Sequence, residues 1–202
     1  MSSAPAAGEL AQLIGGLGSE DNSIRESAGA ELFRRGREMA RAATEKWFGD
    51  ADFARSCVPD ASGLPETTVG IAVTPETFDR IRAANGFPRL SDVPPDQDAK
   101  EFELHLSQGV RLDILTTRDP TAAGAIARHI AKFGEGIQQV EFLVRDVDRA
   151  SEVLRSRFAV QPIYPATRPG ADGTRVNFFL AASANGTKVL IELVEPRAAN
   201  PR

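Results

Sequence analysis

The side chains with chemistry to offer stand in a few short, strand-like runs. Glu192 lies in KVLIELVE between Val189, Ile191 and Leu193, where a carboxylate on a central strand needs a partner. In FGEGIQQVEFLV the period-2 alternation sets Ile137, Gln139, Glu141 and Leu143 on one face, and Gln138, Val140, Phe142 and Val144 on the other. The runs EFELHL and VRLDILTT, joined by Ser107-Gln108-Gly109, read as a hairpin. One of its faces carries Glu101, Glu103, His105, Arg111 and Asp113; the other carries Phe102, Leu104, Leu106, Val110, Leu112 and Ile114. Carboxylates set close together in a partly apolar pocket raise one another's pKa, which moves a base toward working pH for proton abstraction beside a carbonyl. The enolate so formed needs stabilisation, which Arg111, Arg168 or Arg175 could supply without a metal. The same residues also permit a blander reading, with Glu141 and Asp113 buried in ion pairs with Arg111 or Arg175.

These runs need a scaffold, and the periodicities supply it. TTVGIAV reads as a strand and TPETFDRIRAANG as a helix, with Thr74 capping, Pro75 in the first turn and Asn85-Gly86 at its end. The loop LSDVPPDQD and the hairpin follow. Residues 119–133 read as a connecting helix with Ile126, Ile130 and Phe133 apolar and Gly134 at its end. The order then starts again: a strand at 137–144, a helix opening near Asp146, a short run at 160–164, the loop ATRPGADG, the strand TRVNFFL, the turn Ala184-Asn185-Gly186 and KVLIELVE. Placing Thr68 on Gln139 sets Val69 on Val140 and Ile71 on Phe142; placing Asp113 on Glu192 sets Val110 on Val189 and Leu112 on Ile191. Order, phase and carboxylate agree, so the chain reads as a duplicated unit with FGEGIQQVEFLV at the joint.

Ahead of the repeat, Ile24, Ala28, Leu32, Phe33, Met39, Ala43, Trp47 and Phe48 form an apolar helical stripe, capped by Ser19 or Asp21 and stopped at Gly49-Asp50. Such a face must be buried, so the segment either packs on the rest of the chain, as an accessory helical lobe, or serves a dimer contact. The organisation is then a disordered tail at 1–8, a helical extension and linker at 9–65, a first module at 66–118, a connecting helix at 119–135, a second module at 136–196 and a tail at 197–202.

The totals narrow the function. A formal charge of -4 over 202 residues with no Lys/Arg-rich run argues against nucleic acid. No apolar run approaches the roughly 18 residues of a membrane span, and MSSAPAAGEL lacks a signal peptide's basic and apolar regions, so a cytoplasmic location is expected. Cys57 stands alone, which leaves no disulfide or thiolate cluster within the chain; it reads as a structural thiol. His129 reads as a solvated residue of the connecting helix, and His105 as facing either a cavity or solvent.

The tandem βαβββ order resembles the vicinal oxygen chelate superfamily, which includes glyoxalase I, bleomycin-resistance proteins, extradiol dioxygenases and methylmalonyl-CoA epimerase. AIARHIAKFGEGIQQVEFLVRDVDRA resembles the epimerases' helix, K-x-GEGIHH-type turn and following strand. RPGADGTRVNFFL and KVLIELVE resemble their RPG-x-GG-x-K-x-AFL and VLIEL segments, and TTVGIAV resembles HIGIAV. The resemblance covers residues 67–196. It implies an α+β fold of tandem βαβββ modules forming a curled mixed sheet around a cavity, toward which Glu103, Arg111, Asp113, Gln139, Glu141, Asn177 and Glu192 would point. The superfamily's metal ligands match Thr68, Asp113, Gln139 and Glu192, so both usual histidines are missing. A metal held by Asp113, Gln139 and Glu192 would be an oxygen-preferring ion such as Mg, Ca or Mn. The epimerases' paired acid and base match Glu192 and, more loosely, Glu101 or Glu103. The catalytic candidates are therefore Glu192, Glu103 and Glu141, and the substrate-binding candidates Arg111, Gln139, Arg168, Arg175 and Asn177. The expected activity is that of an epimerase, isomerase or lyase on a small acyl or carbonyl compound. The alternatives are a metal-free binding protein, as in the antibiotic-sequestering branch, and an interaction module built on the N-terminal helices. The expected partner is a small molecule, with neither nucleic acid nor membrane, and a homodimer is the expected assembly.

Overall fold

A computed structural model describes residues 7–61, 63–121, 124–183 and 188–197. Among the described residues the chain divides into two compact units, the first built on residues from 7–35, 69–91 and 95–138, the second on residues from 36–68, 92–94 and 139–197. The class is α+β. No helix among the described residues is long and apolar enough to cross a membrane.

In the first unit the strand β1 (Thr67–Ala72), which enters this unit at Val69, leads to the helix α4 (Pro75–Ala84) and then to the hairpin β2 (Lys100–His105) and β3 (Arg111–Thr116). Gln108 and Gly109 reverse the chain in left-handed conformations, at φ 58° and 74°. The antiparallel register sets Phe102 opposite Ile114 and Leu104 opposite Leu112 on one face, and Glu103 opposite Asp113 and His105 opposite Arg111 on the other, as the alternation predicts. Strand β1 runs parallel to β3. Helix α4 starts as expected, with the Thr74 hydroxyl accepting from the Thr77 N–H and Pro75 in the first turn. Its Phe78 and Ile81 pack on Val69, Ile71, Phe102, Leu112 and Ile114.

The same core takes in Ile14 and Leu17 of α1 (Ala7–Leu17) and Ala28 and Leu32 of α2 (Asn22–Phe48). The N-terminal helices thus bury their apolar face by packing into this core, the first of the two expected alternatives. Asp21 caps α2 by accepting from the Ser23 N–H at 2.8 Å. Within the expected stripe Ile24 and Met39 are exposed, whereas the buried line runs through Ala28, Leu32, Ala40 and Trp47. Gly29 lies so close to Leu106 that an added Cβ would meet its Cδ1 at 2.1 Å.

The second unit repeats the plan with β4 (Gly136–Leu143), which enters this unit at Gln139, and with α6 (Val147–Phe158), β5 (Arg168–Pro169), β6 (Arg175–Ala182) and β7 (Lys188–Glu195). Here β4 runs parallel to β7, β7 antiparallel to β6, and β6 antiparallel to β5. Val140, Phe142, Phe179, Ile191 and Leu193 face Ala150, Val153 and Leu154 of α6. The stretch expected to be a linker contributes to this core. It forms α3 (Ala51–Ser56), capped by Asp50, whose carboxylate accepts from the Asp52 and Phe53 N–H groups. Phe53 is fully buried, its ring centroid 5.9 Å from that of Trp47 and 5.6 Å from that of Phe48.

Other differences are local. Helix α5 spans Ala125–Phe133, starting later than residue 119. The run at 160–164 makes one bridge, Pro162 to Phe179, and the short strand β5 falls inside the predicted loop instead. The first module has no counterpart of β5 and reads βαββ among the described residues. The predicted turn at 184–186, most of both predicted tails and their ends lie outside the described residues, although Ala7 and Gly8 already belong to α1. The duplication itself is visible in the registers. Gly70 stands opposite Asp113 and Glu141 opposite Glu192, so Thr68 and Gln139 occupy the same step, two residues earlier.

Candidate functional site

In the second unit, alternation along β4 and β7 sends Val140, Phe142, Ile191 and Leu193 toward α6 and leaves Gln139, Glu141 and Glu192 on the opposite face. The parallel register then sets Glu141 directly across from Glu192. Glu192 is buried and Glu141 half-buried, so the pair needs donors, and Gln139 provides them. Its Nε2 donates to Glu192 Oε2 at 2.6 Å and to Glu141 Oε1 at 3.0 Å, which uses both N–H bonds of the amide. Gln139 and Glu192 are 7% and 8% exposed, so the contact is shielded, and charge assistance fits its short length.

Next to this cluster lies an aromatic ledge. Phe178 of β6 stands opposite Glu192, and Val176 opposite Arg168 of β5, so these side chains share the carboxylates' face. Tyr164 meets Phe178 edge-on at 6.0 Å, and the Arg168 guanidinium lies over the Tyr164 ring, 4.5 Å from its centroid. The arrangement offers a fixed cation, a flat apolar surface and a pair of carboxylates.

Two predicted binding residues fall on the other face. Asn177 is buried with its Nδ2 donating to Ser151 Oγ of α6 at 3.4 Å, while its Oδ1 accepts from the Phe178 N–H. Arg175 pairs at the surface with Asp148 and, at 3.0 Å, with Glu195. Its guanidinium pKa is raised, first by the bond to Asp148. The pairing of β6 with β7 puts Arg175 and Asn177 out of phase with Glu192.

In the first unit, Asp113 is buried on β3 opposite Glu103. Glu103 is far from a desolvated base: its side chain is 52% exposed and pairs with His105, itself 58% exposed, at 2.6 Å. Arg111 stands opposite His105. His129 is half-buried against Phe133, with ring centroids 5.3 Å apart, and burial lowers its pKa, so it is not the solvated residue expected. Cys57 is buried in the second unit, where loss of solvation pushes its thiol up to about 12, in keeping with a structural role.

Glu135 has a role that strand and helix patterns did not reveal. Its Oε1 accepts from the Thr74 N–H at 2.8 Å and the Thr74 hydroxyl at 2.7 Å, tying the glycine-flanked turn to the start of α4. Burial raises its pKa, but hydrogen bonds from Thr74 and Thr77 outweigh that and hold it below the ordinary value. Tyr164 and Phe178 were likewise unforeseen, since no spacing rule links positions 164 and 178. Arg168, beside the glycines of the RPG run, was the available signal.

The oxygen-ligated metal expected at Asp113, Gln139 and Glu192 does not fit the second unit's geometry. Gln139 turns N–H groups, which cannot ligate, toward both carboxylates. Among the described residues no group of three or more His, Cys, Asp or Glu is placed to hold a metal ion.

A duplicated β-α-β order with matching carboxylates on equivalent strands, together with its likeness to solved structures, defines the class: the chain belongs to the vicinal oxygen chelate superfamily. Within that class its structural neighbours are methylmalonyl-CoA epimerases. The chain is similar to the methylmalonyl-CoA epimerase of Mycobacterium tuberculosis, at 31% identity and TM-score 0.54, over 64% of this chain and 86% of that one. It is similar to the Streptomyces coelicolor methylmalonyl-CoA epimerase solved with 2-nitronate-propionyl-CoA, at 26% identity and TM-score 0.53, over 66% of this chain and 98% of that one. A hypothetical protein from Bacillus halodurans matches at 26% identity and TM-score 0.53, over 67% of this chain and 96% of that one. No family model and no curated protein matches the chain.

Proposed function

We propose that this protein is an epimerase- or isomerase-type enzyme that moves a proton next to the carbonyl of a small acyl compound. The observation that carries the reading is the pair of adjacent carboxylates, Glu141 and Glu192, held on one amide on a strand face away from the helix. In this reaction the substrate C–H bond breaks, an O–H bond forms on one carboxylate, and the electron pair moves onto the carbonyl oxygen as an enolate. Returning a proton to carbon restores the carbonyl. Gln139 keeps the carboxylates in register without taking part in the bond changes, and Arg168 offers a cation to an anionic part of the substrate. Tyr164 and Phe178 supply the apolar wall that small-molecule sites need.

A neighbouring epimerase was solved with methylmalonyl-CoA, which makes that thioester the first compound to test. Incubation in deuterium oxide, followed by NMR of the position beside the carbonyl, is expected to show enzyme-dependent exchange that Glu192→Gln abolishes. Exchange that persists in both Glu192→Gln and Glu141→Gln would refute the assignment. Saturable binding of the thioester with no exchange in the unmodified protein would favour the second reading, a binding protein, which the Arg168–Tyr164–Phe178 ledge also suits.

A further inference from the structure

We infer that Gln139 takes the position the superfamily resemblance gives to a metal ligand, and that its amide, in place of a cation, holds Glu141 and Glu192 together. The inference is independent of the reaction proposed above. Ligands around an octahedral magnesium-sized ion sit about 2.1 Å from it, so adjacent ones stand about 3.0 Å apart, and wider around calcium. Gln139 Nε2 and Glu192 Oε2 are 2.6 Å apart, which leaves no place for an ion bound by both. Turning the amide over would put its oxygen against a carboxylate oxygen at that distance, a repulsive contact, whereas the NH2 group satisfies both acids at once. A metal-bound glutamine must present its oxygen, and here the oxygen is the atom left over. The equivalent step on β1, Thr68, carries neither amide nor imidazole. Neither copy of the duplicated position carries an imidazole or a carboxylate.

The test uses the side-chain amide of Gln139 in nitrogen-15- and carbon-13-labelled protein, assigned through its own backbone resonances and checked by its loss in Gln139→Leu. Its NH2 signals are expected to persist unchanged in chelator and in excess Mn2+, with hydrogen exchange slower than that of exposed glutamines. Glu192→Gln removes the charged acceptor and is expected to speed that exchange about tenfold or more. Selective broadening of the Gln139 signals by one equivalent of Mn2+, reversed by chelator, would overturn the inference, as would exchange at the rate of a free amide. Both readouts on the unmodified protein remain decisive if a variant fails to fold, and neither requires a substrate.

Discussion

The coupling between Gln139 and Glu192 can be measured as a free energy. Both side chains are more than nine-tenths buried and meet at 2.6 Å. Gln139→Leu removes a donor from a shielded carboxylate, and Glu192→Leu leaves the amide facing an apolar side chain, so each single change carries a desolvation cost. The double change to leucine removes both polar groups together and escapes much of that cost. A hydrogen bond to a charged group contributes about 1.5–3 kcal/mol, and the coupling energy from the four-way cycle is expected in that range. Urea unfolding followed by far-ultraviolet circular dichroism gives the four stabilities, and equal denaturant slopes would show that the variants unfold between comparable states. Additive single changes, with a coupling below about 0.5 kcal/mol, would mean that the amide does not hold Glu192 and would remove the basis for Gln139 as an organiser.

Other consequences follow from the rest of the chain. Because hydrogen bonds hold Glu135 below its ordinary pKa of 4.5, its tie to Thr74 stabilises fully above that value and fades as pH falls through the lower folded-state value. Glu135→Gln should flatten this part of the stability-pH curve, and an acid limb with unchanged slope would refute the tie. Phe53→Ala should cost about 3–5 kcal/mol in urea unfolding, as for a fully buried aromatic, although a linker residue would cost almost nothing. Cys57, with its thiol pushed to about 12, should resist alkylation in the native protein at mildly alkaline pH and react as the protein unfolds. Rapid labelling before unfolding would contradict its burial.

The sequence by itself determined the repeated order of elements and the equivalence of Asp113 with Glu192, and its resemblance implied the α+β class. The first two rest on local alternation, because a strand between a core and a second face must place apolar residues at every other position. Alternation also separated Gln139 and Glu141 from Val140 and Phe142. It could not place β6: in TRVNFFL both phases carry apolar residues, Val176 and Phe178 on one and Phe179 on the other, so Asn177 and Arg175 were open to either side. Pairing across β7, which sets Phe178 opposite Glu192, decided that question. Helix α3 went unseen because six residues are too few to display a helical period, although Asp50 was in place to cap it. Only the tertiary structure brought Gln139 to Glu192, 53 positions away, and set Glu141 directly across from it. Periodicity tells which residues of one strand face apart; the register between strands decides which faces coincide and what their side chains can touch.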